Sequence, residues 1–294
     1  MNSNTKKQNY KIIDNMCIMD DLMMSVFFKD RPRCAEAILN AVLPFKVTVE
    51  KIETQHDYKN IYGRHVTFDI YAKDEKGKIY NIEVQRRSKG AAPQRARYYS
   101  SMLDTKALKH KQDFEEILDT YVIFITEHDV LGDDEPVYCI ERMILKSNKH
   151  FGDGSHIIYL NTAYEKKEGD NTAKEILDII HDIKCSSPDL MINKYLKSRM
   201  EEIKKPESKE REYMNKELYE YIKEICKDEC DEARAEGHAK GRAEGRAEGR
   251  AEGMQEKTIE FARNMLLSGE IAIDLIAKLC NMTVEEINEL KATV

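Results

Sequence analysis

The stretch FDIYAKDEKGKIYNIEVQ, residues 68–85, decides how the rest of the chain is read. Two runs rich in Ile, Tyr, Val and Phe flank the polar, glycine-containing link KDEKGK, the pattern of a β-hairpin. If Glu75-Lys76-Gly77 is a three-residue loop, Gly77 takes the left-handed position that such loops require. Asp74 then faces Lys78, Asp69 faces Glu83 and Thr67 faces Gln85. Strand side chains alternate between two faces. Val66, Phe68 and Ile70, with Ile82 and Val84 on the return strand, are therefore expected to point to a core. Thr67, Asp69, Tyr71, Asn81, Glu83 and Gln85 are expected to share the other face.

Directly opposed residues on a sheet have Cβ atoms roughly 4.5–5.5 Å apart, and like charges there destabilise the pair. Two readings of Asp69 and Glu83 follow. Both acids face bulk water on an exposed hairpin, or a divalent cation lies between them and reverses the sign of the interaction. Mg²⁺ takes one or two carboxylates together with waters and a phosphate oxygen. The segment after Gln85, RRSKGAAPQRAR, holds Arg86, Arg87, Lys89, Arg95 and Arg97 and no acid. It is either a solvated loop and helix start or a phosphate-binding cluster. Tyr98 and Tyr99 follow it, placed to stack or to donate hydrogen bonds. Carboxylates that hold a metal, beside cations that hold a phosphate, suggest phosphodiester hydrolysis.

The chain has 294 residues, 34% of them charged, and a net charge of −7, so affinity for a polyanion has to be local. Its seven cysteines form no regular framework and read as reduced thiols. Cys226 and Cys230, with His238 beyond them, are two thiols on one helix face or a metal clip. The N-terminal residues lack the apolar core of a signal peptide, and no apolar run reaches the ~18 residues of a membrane span. These features predict a cytosolic, cytoplasmic protein without membrane association.

Along the chain, DDLMMSVFFKDRPRCAEAILNAVL carries apolar residues at helical spacing, and Pro32 divides it into two short helices. From about residue 47 to 165 the period is two. HVTFDIYA, KIYNIEVQ, TYVIFITE, PVYCIERMIL and HIIYLNTA read as strands, and a helix starting near Pro93 separates the second from the third. This order predicts a mixed α/β domain over 1–185. A charged helical segment over 186–234, an Ala-Glu-Gly-Arg repeat over 235–253 and a small helical module over 254–294 follow.

Asp69, a hairpin, and then Glu83-Val84-Gln85 resemble the Asp…Glu-x-Lys pattern of the PD-(D/E)XK nucleases in a Glu-x-Gln form. Three further stretches, DDLMMSVFFKDRPRCAEAILNAVL, RARYYSSMLDTKAL and TYVIFITEHDV, are similar to segments of the Rpn-type recombination-promoting nucleases, also described as PD-(D/E)XK family transposases. The resemblance covers about residues 18–165. It implies a restriction-endonuclease-like PD-(D/E)XK core, a mixed sheet flanked by helices, here with a helical C-terminal extension. It implies Asp69, Glu83 and Gln85 as the catalytic set and Asp69, Glu83 and the Val84 carbonyl as ligands of Mg²⁺, with Mn²⁺ as the alternative. The nucleic-acid contacts expected are Arg86, Arg87, Lys89, Arg95, Arg97 and Tyr98. Gln85 stands where the pattern has lysine. An amide orients a water or a phosphate oxygen but carries no charge, so compensation falls to the metal or to an arginine, Arg86 or Arg97. The activity implied is that of a Mg²⁺-dependent DNA endonuclease linked to recombination or mobile elements, with DNA as partner and no organic cofactor. The alternative is a nuclease fold that binds DNA or protein as an oligomeric scaffold without cutting.

In the repeat, glycines, glutamates and arginines each recur every fourth residue and form rows on a helix. Like charges repel along each row, and each glycine costs about 1 kcal/mol against alanine. The tract is either a spacer or a stalk that pairs with a second copy and makes the protein a homo-oligomer. Residues 254–294 outline a helix-turn-helix, with Thr283 and Glu286 as a capping box. Four Lys or Arg against seven Asp or Glu argue for assembly there and against DNA reading.

Overall fold

Asp74 fixes the hairpin. Its Oδ1 accepts the backbone N–H groups of Lys76 and Lys78 at 3.0 and 2.9 Å, its Oδ2 accepts the Tyr80 hydroxyl, and Gly77 takes a φ of +86°. With the turn closed this way, strands β2 (Val66–Asp74) and β3 (Ile79–Gln85) pair Lys73 with Ile79, Ala72 with Tyr80, Tyr71 with Asn81 and Ile70 with Ile82. That is the register read from the sequence. These are features of a computed structural model, which describes residues 3–58, 65–86, 88–108, 111–268 and 271–293. Within these, only the backbone is described at 3, 58, 88–89, 225–226, 228–236, 238–239, 243, 247–248 and 251–252.

Upstream of the hairpin lie α1 (Ser3–Asn15), α2 (Asp21–Phe27), α3 (Pro32–Val42) and β1 (Val49–Tyr58). Pro32 opens α3, as its position in the sequence suggests. After the hairpin come α4 (Pro93–Ala107), β4 (Thr120–Thr126), β5 (Val137–Ile140), β6 (Met143–Ile144), β7 (Lys149–His150) and β8 (Ser155–Asn161). Helices α5 (Lys174–Lys184), α6 (Lys194–Lys204), α7 (Lys209–Ser268), α8 (Ile273–Cys280) and α9 (Val284–Ala292) complete the chain. The main sheet has the order β1-β2-β3-β4-β8-β5 and is mixed. Strands β3, β4 and β8 are parallel, and β1, β2 and β5 run antiparallel to their neighbours.

Helices cover both faces of this sheet. One face, with Ile70, Ala72, Ile82, Val84, Ile123 and Ile125, packs against apolar residues of α2, α3, α5, α6 and the first turns of α7. The other, with Phe68, Tyr71, Phe124 and Tyr159, packs against Ala96, Tyr99, Met102 and Leu103 of α4. Strand β4 is buried throughout, as the near-continuous apolar run TYVIFIT requires of a central parallel strand.

Two expectations change. Phe68 and Ile70, two residues apart, enter different clusters, so the alternation breaks at Asp69 and the strand does not keep Val66, Phe68 and Ile70 on one face. Opposite the break, Gln55 of β1 has a φ of +52°. PVYCIERMIL is not one strand: β5 joins the main sheet, while β6 pairs with β7 in a separate two-stranded ribbon.

The chain forms two compact units, Met1–Tyr221 and Ile222–Val294. The first extends past the boundary near 185 that sequence texture suggests, because Leu196, Met200, Ile203, Met214 and Leu218 join its core. In the second, the repeat tract lies within α7, and a Cβ added at Gly241, Gly245 or Gly249 would meet open space. Ala262, Met265, Ile276, Ala277, Cys280 and Ile287 form a small core of its own. Thr283 and Glu286 make the reciprocal capping box at the start of α9, and Asn281 closes α8 in the left-handed conformation. The thiols of Cys226 and Cys230 and the imidazole of His238 lie outside the described residues.

Candidate active site

Past the Ile70–Ile82 pair, side chains take over the strand pairing. The Asp69 N–H donates to Glu83 Oε1 at 3.1 Å, and the Val84 N–H donates to Asp69 Oδ2 at 2.9 Å. Each acid thus uses a carboxylate oxygen as a ladder acceptor for the opposite strand. The Asn81 amide adds a third bond, Nδ2 to Glu83 Oε1 at 3.0 Å. Glu83 is fully buried, with 0% of its surface exposed. Of the two readings of this pair, the one in which both acids face bulk water does not hold.

Burying two carboxyl groups side by side works against ionising both. Burial, and then the charge of Asp69, push the Glu83 carboxyl up to about 8. Burial pushes Asp69 up to about 6, with the nearby charge of Asp21 acting in the same direction. Their oxygens are held by hydrogen bonds, yet the pair is short of positive charge.

Part of that charge comes from Arg95 in the first turns of α4. Its Nη2 lies 3.2 Å from Glu83 Oε2 and donates to the Tyr99 hydroxyl at 2.7 Å. Its Nη1 donates to Gln85 Oε1 at 3.1 Å and to the Gly90 carbonyl at 2.8 Å. The guanidinium also lies over the Tyr99 ring. Sequence reading groups Arg95 with the phosphate contacts and looks to Arg86 or Arg97 for compensation. The structure brings Arg95 to the acids instead. Arg86 is paired with Asp20 at 2.6 Å and with Glu127 at 3.3 Å, and Arg97 is exposed. Arg87 and the side chain of Lys89 lie outside the described residues. Tyr99 is buried and Tyr98 half-buried. Thr67, opposite Gln85 by extrapolation of the register, bonds to Asp57 of β1.

Asp69 opens onto a cavity of about 1210 Å³ whose lining also includes Asp20, Asp21, Val84, Gln85 and Arg95, while Glu83 lies buried behind it. Helix α7 contributes Glu217 and Tyr221 to its wall. A second cleft of about 730 Å³ shares Asp69 and Arg95 and adds His65, Thr67, Gln94 and Tyr98. Asp20 and Asp21 are absent from the sequence-derived site. An Asp-Asp pair before an apolar helix reads as capping residues, and only the placement of α2 brings it to the cavity. Asp20 is also tied down locally, its Oδ2 accepting the Cys17 N–H at 2.8 Å.

Residues 36–238 match the family model described as PD-(D/E)XK nuclease family transposase. The chain belongs to that family. No curated protein and no solved structure matches it. The matched residues take in the hairpin, α4 and all of the main sheet, and leave Asp20 and α2 outside.

Nucleases of this kind generally use divalent metals, and the residues present are of the right chemistry for one. Asp69, Glu83 and the Val84 carbonyl offer only oxygen, the donor set of hard cations. A bound cation would favour the ionised form of both acids, against the effect of burial. Among the described residues no group of three or more His, Cys, Asp or Glu is gathered closely enough to hold a metal on its own. Two carboxyl groups and a carbonyl fit a hard divalent cation that keeps several of its waters.

Proposed function

We propose that this chain is a divalent-metal-dependent endodeoxyribonuclease acting in recombination or in the movement of mobile elements. One observation carries the reading: two interlocked carboxyl groups, both pushed up by burial, lie beside a guanidinium, and one of them, Asp69, lines a large cavity. Asp69 and Glu83, with the Val84 carbonyl, are the residues that would hold the metal. When bound, Mg²⁺, or Mn²⁺ in its place, supplies polarisation of the phosphoryl oxygen and acidifies a water. Glu83, held up to about 8, would lose its proton when a cation is held there. Gln85 holds a water or a phosphate oxygen by hydrogen bonding, because an amide donates without carrying charge. Arg86, Arg87, Lys89, Arg97 and Tyr98 contact the DNA backbone, where counterion release favours binding. Self-association through the repeat-bearing helix makes the protein an oligomer, and its place is the cytoplasm. No helix of the described residues is long and apolar enough to cross a membrane.

A second reading rests on the hydrogen bonds already made to Glu83. Oε1 accepts from Asp69 and Asn81 and Oε2 faces Arg95, an arrangement complete enough for a fold that binds DNA or protein without cutting. One assay separates the two. Purified full-length protein is incubated with plasmid and linear duplex, with Mg²⁺, Mn²⁺ or EDTA. The nuclease reading expects metal-dependent nicking or cutting that falls by about 10²-fold or more in Asp69→Asn and in Glu83→Gln. Equal cutting by all three proteins assigns it to another site or a contaminant. DNA retention without cutting by the wild type favours the scaffold.

A further inference from the structure

We propose that Arg95 is a positioning residue that sets the amide of Gln85 for the reaction and lends it positive charge; this rests on the nuclease reading above. An arginine has hydrogen-bond donors only. At 3.1 Å from Arg95 Nη1, the Gln85 amide must therefore present its oxygen to the guanidinium. The amide nitrogen is left at the other end of a side chain that lines the cavity. Among the described residues, Gln85 Nε2 has no protein partner.

The guanidinium cannot easily turn away from this task. Its four contacts come from the end of β3, the turn at Ser88–Ala91 and α4 itself: Gln85 and Glu83, the Gly90 carbonyl, and the Tyr99 hydroxyl. Gly90 shapes the same cradle from the other side. A Cβ there would lie 2.1 Å from Gln85 Oε1 and 3.5 Å from Arg95 Nη1, so only glycine leaves room for the amide against the guanidinium. A cation hydrogen-bonded to the oxygen of an amide draws electron density from the nitrogen and makes its N–H groups better donors. Gln85 thus offers the cavity a donor backed by a charge that it does not itself carry. The guanidinium has a second consequence. It occupies the positive side of Glu83, so a metal arriving at the acids competes with it for Glu83 Oε2.

These roles give Arg95→Ala two effects of opposite sign, which loss of simple structural support would not produce. Cleavage of duplex DNA by the full-length protein is expected to fall by about 10²-fold in kcat, with KM changed less than about threefold. Mn²⁺ binding, measured by calorimetry without DNA, is expected to tighten by about tenfold once the competing cation is gone. Adding Gln85→Lys to Arg95→Ala, so that the strand carries its own charge, is expected to recover at least about tenfold of the lost kcat.

A drop confined to KM overturns the proposal and makes Arg95 a DNA contact. Weaker Mn²⁺ binding with no recovery in the double variant also overturns it and makes Arg95 a prop for Glu83. If Arg95→Ala misfolds, Arg95→Lys keeps the charge but loses the fork. A kcat and Mn²⁺ affinity equal to wild type in that variant overturn the proposal as well. Wild type that cuts no better than Asp69→Asn sinks the nuclease reading instead, and the Mn²⁺ titration still judges Arg95.

Discussion

The hairpin and the repeat both set like charges side by side, and the two regions treat them in opposite ways. In the repeat, Arg242, Arg246 and Arg250 lie along an exposed helix where water and salt screen their repulsion. Such pairs amount to a few tenths of a kcal/mol each. In the hairpin, Asp69 and Glu83 are largely withdrawn from water, and burial first, with neighbouring negative charge added, holds both carboxyl groups above the ordinary carboxylate range. The lesson is that a charge pattern in a sequence means little until its burial is known. The exposed rows are conspicuous and energetically mild, whereas the buried pair is one Asp and one Glu among 54 acids.

The sharpest break between the two regions comes from removing the buried charges. The double variant Asp69→Asn, Glu83→Gln keeps the shapes of both side chains and deletes the repulsion. Cleavage is expected to fall by more than about 10²-fold, while the metal-free melting temperature at pH 8 rises above wild type. A functional site that costs stability shows this inverse response. A variant that loses both activity and melting temperature would make the acids structural.

Next in size is Gly90→Ala. The methyl displaces the end of a flexible side chain, so the fold is expected to tolerate it. Gln85 moves off Arg95, and kcat is expected to drop by about tenfold or more. A full-rate Gly90→Ala enzyme would show that the placement of the Gln85 amide does not matter.

The pH dependence of stability gives a smaller effect with a fixed sign. Glu83 is held up to about 8 against an ordinary 4.5, so between these values the folded chain binds a proton that the unfolded chain has released. Asp69 does the same between 3.8 and about 6. The metal-free melting temperature is therefore expected to decline as pH rises from about 4.5 to about 8, and to decline less in Glu83→Gln. Mn²⁺ needs both groups ionised and is expected to raise the melting temperature more at pH 8 than at pH 6. Stability that rises over this interval without metal would contradict the buried-pair account.

The hairpin register was legible because its determinants are local: Asp74, Gly77 and the alternation around them lie within a few residues of one another. The buried strand TYVIFIT and the break at Pro32 were legible for the same reason. Strand β1 is not legible, because VEKIETQHDY is an edge strand whose polar residues blur the period. The candidate site is proposed from its acids and Gln85, whose spacing on the hairpin is local. It was not legible in Arg95, which reaches Glu83 from twelve residues away only because α4 packs over the end of β3. Nor was it legible in Asp21, whose approach depends on the packing of α2 against the core. Composition placed Arg95 among five similar cations, and nothing short of tertiary structure separates it from them.

The smallest effect tests the exposed half of the comparison. Replacing Gly241, Gly245 and Gly249 by alanine removes backbone freedom where an added Cβ meets open space. Each change is expected to favour the helix by about 1 kcal/mol, and because the charges are untouched, cutting per active site should not change. The readout that decides is mass by light scattering. A spacer gains helicity and keeps its mass. A stalk that pairs through its glycine ridge loses close approach between copies and dissociates toward the monomer despite the better helix. Unchanged mass in the triple variant, and again on removal of residues 235–294, would leave the repeat as an exposed helix whose charges interact only weakly along its own surface.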